Sequence, residues 1–394
     1  MVTSAQQISS RHPQPTTYVI AHTAFVLTGI VTVLLGPLLP ALAAQWGLND
    51  VRSGYLSTAH FLGAFLATIA SSLLLPLLGF RWSIAAGQVL MALGVAVLTS
   101  GTFTQGLLAV FCYGIGIGLT IPTVNLLVAE RSLKRRSSAL NILNFCWSSG
   151  AVACPLLLAA FHQPKSIRLF LDSLAGFLIL LTVGIFLSPT DTVEPIQKRS
   201  PRTKRWLLRF TNPATIVLAA LFFIYVGTES SLGVWLASYA KRESQLNGTV
   251  WITVPSYFYG ALWAGRAVAP LSLQHFSDSK QARLGALLAL ISTAVLLLSR
   301  SIPGIAISAF VIGLGLSTLY PIAIGFLSSS FGPDALHVGG YMFALSALGG
   351  ASIPLAVGFT STMFDSLKTA LFIPLLGLLA MLLLFSSPRL RECA

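Results

Sequence analysis

Apolar runs of about 20 residues, each long enough to cross the ~30 Å hydrocarbon core of a bilayer as a helix, recur along the whole chain. They cover residues 18 to 44, 53 to 78, 82 to 101, 103 to 129, 137 to 162, 168 to 187, 213 to 240, 248 to 273, 281 to 299, 301 to 327, 336 to 360 and 366 to 386. Several are separated only by a turn, as at Thr99 to Thr102 and Arg300 to Pro303. The pattern predicts an all-α membrane protein with twelve transmembrane helices.

Composition agrees. Of 394 residues, 55% are hydrophobic and 9% charged, with mean hydropathy +0.82, whereas soluble domains carry roughly 25% charged residues. The net charge of +13 does not point to nucleic acid, because the basic residues form short clusters between apolar runs. They read as topology signals. With the N-terminus inside, about two-thirds of the 24 Lys and Arg fall on the cytoplasmic side, notably Arg131, Lys134, Arg135 and Arg136 and the cluster from Lys198 to Arg209. Both termini are then expected in the cytoplasm, with the chain in the plasma (inner) membrane. PALAAQW (Pro40 to Trp46) resembles a signal-peptidase site, but the apolar run before it is too long for a signal h-region, so the first span is kept.

Cys112, Cys146 and Cys154 lie in spans and Cys393 in the tail, none placed for an extracellular disulfide. No Cys/His group has metal-ligand spacing, and neither a metal nor a cofactor is expected. Asn247-Gly248-Thr249 is a glycosylation sequon on the predicted outer side.

A proline-rich basic linker, residues 188–212, divides the chain into an N-terminal half, 1–187, and a C-terminal half, 213–394, of six spans each. The halves echo each other. Gly150 to Leu156 (GAVACPL) matches Gly349 to Leu355 (GGASIPL), and Gly63-Ala64 matches Gly260-Ala261. GIGIGLTIP (Gly114 to Pro122) resembles GLGLSTLYP (Gly313 to Pro321), read as slipping two residues beyond Gly118 and Gly315. Two such halves joined by a cytoplasmic linker are the architecture of transporters whose parallel repeats enclose a midplane site.

Glu229 is the one acid deep within a span. An intramembrane carboxylate costs several kcal/mol unless it faces a cavity or a partner, so it is read as a solute anchor and as the coupling group, against a purely structural acid. Counted from the cytoplasmic ends of their spans, Glu229 lies ~24 Å and Arg266 ~10 Å up an ideal helix. The two are therefore expected ~14 Å apart in height, with no direct salt bridge and Arg266 in a structural or inner-gate role. His60 is a second coupling candidate, because imidazole titrates near neutral pH. Glu130 and Arg131 read as a pair at the cytoplasmic boundary.

Asn141, Asn144 and Trp147, three apart in turn, share a helix side and join Asn125, Tyr225, Trp235 and Tyr257 as expected solute contacts. Amides and a carboxylate bond hydroxyls while aromatic planes stack on apolar ring faces, a combination suited to a sugar or polyol. For Trp235 and Tyr239 the interfacial aromatic belt is an equal alternative.

GIVTVLLGPLLPAL (Gly29 to Leu42), GIGIGLTIPTVNLLVAE (Gly114 to Glu130), SALNILNFCWSSGAVACPLL (Ser138 to Leu157), YVGTESSLGVWLASYA (Tyr225 to Ala240) and GALWAGRAVAP (Gly260 to Pro270) resemble the fucose, galactose and glucose proton symporter family of the major facilitator superfamily and its sodium-linked sugar-transporter relatives. The resemblance implies alternating access and a sugar-like solute moved with a proton or sodium. One departure is PLLGFRWS (Pro76 to Ser83), which keeps Gly79 and Arg81 but lacks the acidic residue of the superfamily's loop signature.

The expected function is import of a sugar or similar polar solute by a monomer in the lipid bilayer. The alternatives are a proton-coupled exporter of amphiphilic compounds on the same fold and a non-transporting solute receptor. No G-x4-G-K-[ST] loop supports ATP-driven transport. Eleven acids scattered singly do not build the clustered catalytic groups of a membrane-embedded enzyme.

Overall fold

Prolines set the first break in the helical order. In the computed structural model, which describes residues 15–132, 136–161, 163–188, 213–243, 249–273, 277–331 and 335–387, the first span consists of α1 (Pro15–Val33) and α2 (Leu35–Trp46). Pro37 has no N–H for the carbonyl of Val33, and the chain turns at Leu34 with a tight Leu34 to Val31 hydrogen bond of 3.4 Å. Next come α3 (Asp50–Val97), α4 (Phe103–Arg131), α5 (Arg136–Ala160) and α6 (Pro164–Leu187). The second set is α7 (Pro213–Glu243), α8 (Val254–Leu273), α9 (Asp278–Leu298), α10 (Ile302–Leu316), α11 (Leu319–Phe331), α12 (Ala335–Phe364), α13 (Leu367–Ala370) and α14 (Phe372–Ser386). The break between α10 and α11 repeats the logic of the first, since Pro321 leaves the Ser317 carbonyl without its helical donor.

Two of the predicted spans are run together as α3, bent at Gly79, whose φ of 75° only glycine adopts at little cost. Arg81 then donates to the carbonyl of Phe186 and lies over its ring, 5.0 Å from the centroid, tying the bend to the end of α6. Among the described residues, ten helices are long and apolar enough to cross a membrane, and residues 50–72 of α3 and the Arg266-bearing α8 run as two further helical segments. This is consistent with twelve spans, and no strand occurs among the described residues. The linker after Ser188, the sequon asparagine, Lys134, Arg135 and Cys393 lie outside the described residues.

The sequence echoes mark equivalent helix crossings. A Cβ at Gly150 would collide with the carbonyl of Val26 on α1, and one at Gly349 with that of Phe223 on α7. Gly114 meets the backbone of His60, and Gly313 that of Phe258; Gly116 meets Gly87, and Gly315 meets Gly285. Small residues let transmembrane backbones approach this closely. All three pairs share one constant offset along the chain, as do Pro122 and Pro321. The slip expected beyond Gly118 is therefore absent: the match runs in register through both prolines.

Three seams join helices of the first set to the second. Along α3 and α12, Gly54 packs on Leu355, Thr58 donates to the Ala351 carbonyl at 2.8 Å, and Phe61 covers Gly350. On α2 and α7, the backbones cross at Gly36 and Gly233. Between α5 and α8, Ser256 donates to Val152 at 3.1 Å and the Trp263 indole to Ser149 at 3.2 Å.

Candidate functional site

Helix α7 contains no internal proline and runs unbroken past Tyr225, Glu229 and Gly233, which share a face at four-residue spacing. The Glu229 and Arg266 side chains are only 15% and 21% exposed, and Arg266 Nη2 lies 3.9 Å from Glu229 Oε1. At that distance the two form an ion pair, too long for a hydrogen bond.

This overturns the height separation expected from the sequence. Counting from the cytoplasmic ends depended on where those ends were drawn. From the opposite end, where the chain passes from α7 to α8, Glu229 is fourteen residues from Glu243 and Arg266 twelve from Val254. These are ~21 Å and ~18 Å, nearly level.

Arg266 also reaches across the seam. Its Nη1 donates to Ser148 Oγ on α5 at 3.3 Å, so one guanidinium touches both sets of helices. Its buried Nε has no protein partner. Tyr225 sits beside both charged groups, and its hydroxyl donates to the Leu316 carbonyl at 3.3 Å, at the broken end of α10. Tyr320, on the far side of that break, stacks on Tyr225 with ring centroids 5.2 Å apart. The Tyr259 hydroxyl fills the space over Gly233, one turn from Glu229.

On α5, Asn141 and Asn144 are exposed and lie two turns and one turn before Ser148, on the stripe that leads to Arg266. Asn144 donates to its own Leu140 carbonyl at 2.9 Å. Trp147 is half-buried against both apolar cores, and its indole N–H has no protein partner. Asn125 on α4 is half-buried and donates to Ile121 at 2.9 Å.

Other candidates fall elsewhere. Trp235 is fully buried with its indole N–H on the Pro354 carbonyl at 3.0 Å, and Tyr239 is fully buried with its hydroxyl on Leu296 at 3.2 Å. Both brace helix contacts, which removes Trp235 from the solute contacts and both from an interfacial belt. Tyr257 is half exposed and nine residues from Arg266, half a revolution away on a helix of 3.6 residues per turn. It points away from Glu229, so Tyr257 does not lie on the site face. His60 is buried in the first set, stacked on Phe61 at 4.6 Å and edge-on to Tyr113 at 5.1 Å. Glu130 and Arg131 end α4, where the Arg131 carbonyl accepts from Tyr18 at 3.3 Å.

Comparison with known proteins decides the family. The sequence profile of the Major Facilitator Superfamily matches residues 21–354. The chain belongs to the Major Facilitator Superfamily. Among relatives of this facilitator, a glucose/galactose transporter of Brucella abortus biovar 1 (strain 9-941) is 24% identical, covering 85% of each chain. The L-fucose-proton symporter of Escherichia coli (strain K12) is also 24% identical, over 89% of this chain and 88% of its own. The crystal structure of the transporter FucP in the outward conformation superposes with a TM-score of 0.66 at 18% identity, over 96% of this chain and 98% of that one. The facilitator is thus an integral multi-pass membrane transporter.

Three residues of its site were missed in sequence. Ser148 has no charge or amide to single it out, although its spacing from Asn141 and Asn144 places it on their stripe. Tyr259 is seven residues from Arg266 and so shares its face. Tyr320 immediately precedes the helix-breaking Pro321, the one sign that it sits at an irregular backbone position.

Proposed function

We propose that this facilitator is a secondary active transporter that imports a sugar or similar polar solute by alternating access, with a proton as the coupling ion and sodium as the alternative. The observation that carries the reading is the Glu229–Arg266–Ser148 contact. A carboxylate is held near the middle of a predominantly apolar bundle, paired loosely to a guanidinium that touches both sets of helices. Intramembrane ion pairs of this kind mark substrate and ion paths. The stripe of Asn144 and Asn141 beside it, with Tyr225, Tyr259 and Tyr320 across from it, supplies hydroxyl-bonding groups and ring faces for a polyol. The names of the glucose/galactose and fucose relatives support the same solute class.

In this reading the chain's two halves, 1–187 and 213–394, rock about the site, and both termini lie in the cytoplasm. Uptake into proteoliposomes with an imposed pH or sodium gradient, after a thermal-shift screen of hexoses and pentoses, tests it. Accumulation of a stabilising sugar above its outside concentration is the expected result. Binding without flux indicates a receptor, and gradient-driven efflux of amphiphilic cations without sugar uptake indicates an exporter; either result overturns the proposal.

A further inference from the structure

Asp50 opens α3 in the first set of helices, while Arg242 closes α7 and Ser361 lies near the end of α12, both in the second. All three meet. Arg242 Nη1 and Nη2 donate to the two Asp50 carboxylate oxygens at 2.8 and 2.5 Å, the two-pronged geometry that makes arginine–carboxylate pairs strong and directional. Ser361 donates to Asp50 Oδ2 at 2.5 Å, and beside it the backbone N–H of Val51 donates to Thr362 Oγ1 at 3.1 Å. The Asp50 side chain is only 12% exposed, although Arg242 is 49% exposed. A fully exposed pair is worth little, but here the carboxylate is enclosed and has three donors.

A packing feature beneath the cluster places it on the seam between the two sets of helices. A Cβ at Gly358 would collide with the Asp50 carbonyl, and below that Gly54 meets Leu355 and Thr58 meets Ala351. All of these contacts cross from α3 to α12. When two repeats rock apart at one end of a transporter, every bond in the cluster must break together, because the acceptor is on one set and its side-chain donors are on the other.

We propose that Asp50, Arg242 and Ser361 form a latch that holds the facilitator closed at this end, so that its release limits opening there. The inference rests on alternating access by the proposed transporter and is independent of solute and coupling ion. The groups facing Asp50 are Arg242 from α7 and Ser361 and Thr362 from α12; Asp365, just past α12, acts on Arg242 in turn, and within its own helix the nearest charge is Arg52. Asn49, just before it, caps α3 by accepting from the Arg52 N–H at 2.9 Å. Asp50 in the first turn therefore also complements the helix dipole, and this local role must be separated from a latch.

The test is a distance measurement between spin labels at Ala44→Cys, at the end of α2, and Phe364→Cys, at the end of α12, in a background lacking the native cysteines. The full-length protein is reconstituted in lipid. The latched protein gives a single short distance population. Asp50→Asn and Arg242→Gln are expected to raise the ratio of long to short distances by ~10-fold or more, the scale for losing hydrogen bonds to a charged group. Ser361→Ala, the mildest change, raises it less. The exchange of Asp50→Arg with Arg242→Asp restores the short population, which a helix-dipole role would not do. Unchanged distances in Ser361→Ala and in whichever of the two single variants folds, or failure of the exchanged pair to recover the short population, overturn the latch. Sugar accumulation measured on the same samples reports separately on the transport reading.

Discussion

Arg266 faces Glu229 across 3.9 Å, close enough for charge attraction yet beyond hydrogen-bonding distance. A pair held this loosely leaves room for a third party. A proton or a solute hydroxyl can take up the carboxylate's unused acceptor capacity without first dismantling a tight bidentate bond. The contact from Arg266 to Ser148 links the pair to the opposite set of helices, so its geometry depends on how the two sets are seated.

Removing the cation alone is expected to hurt most. Arg266→Ala leaves an enclosed carboxylate with no counter-charge, and breaking such a pair from one side costs up to ~3–5 kcal/mol when fully buried. The remaining exposure here should lower that figure. The double variant Glu229→Gln with Arg266→Gln should unfold at a higher temperature than Arg266→Ala. Thermal unfolding in detergent checks the order, and equal destabilisation of the two would show that the pair is not the stability-bearing contact.

The amide stripe is expected to act in binding. Asn141→Ala and Asn144→Ala should each weaken solute affinity by about 1–3 kcal/mol, the cost of a lost bond to a buried hydroxyl, with unfolding temperature close to that of the unaltered protein. Calorimetric titration with the stabilising sugar measures this. Unchanged affinity in both variants removes the stripe from the site.

Trp235 should behave in the opposite way. Its indole N–H adds a second bond to the Pro354 carbonyl, across the α7–α12 contact and beyond the bond that carbonyl has within its helix, so Trp235→Phe loses a buried hydrogen bond and ring volume. A stability loss of about 1–3 kcal/mol with unchanged sugar affinity is expected. A weakened affinity with intact stability would return Trp235 to the solute contacts.

The latch gives a pH prediction. Burial alone would push the Asp50 carboxyl up, but the bonds from Arg242 and Ser361 and the guanidinium charge outweigh it and hold it below its ordinary value. Its latched-state pKa is lower than its free one. The latch is therefore at full strength above the ordinary carboxylate range and fades only as pH falls through the depressed value. In a Glu229→Gln background, which removes the proposed coupling proton, label distances at Ala44→Cys and Phe364→Cys should stay constant between about pH 5 and 8. A transition within that window would contradict the assignment.

The sequence carried the architecture because hydrophobic length is a strong constraint in membranes, and the glycine echoes carried the repeat because close backbone crossings admit little else. The site was only half legible. Glu229 stood out as an acid in an apolar run, and Asn141 and Asn144 as amides sharing a stripe. The partnership with Arg266 did not, since relative height depends on helix ends that apolar runs blur by a turn or more. Rotational phase misled at Tyr257, an aromatic residue on the Arg266 helix that lies half a revolution from the charged side chain. Trp235 and Tyr239 are amphipathic side chains that suit a pocket, a belt or a core equally well, and only the burial of their polar tips decides among these.

The most direct test of the central claim is solute accumulation by Glu229→Gln in proteoliposomes. Glutamine keeps the shape and a carbonyl acceptor but cannot change charge. If Glu229 couples ion movement to solute movement, the variant binds sugar and exchanges it across the membrane. It fails, however, to concentrate sugar against its gradient and loses the pH dependence of uptake, or its sodium stimulation where sodium is the coupling ion. Accumulation by Glu229→Gln at the level of the unaltered protein would contradict the account and leave Glu229 as a structural partner of Arg266.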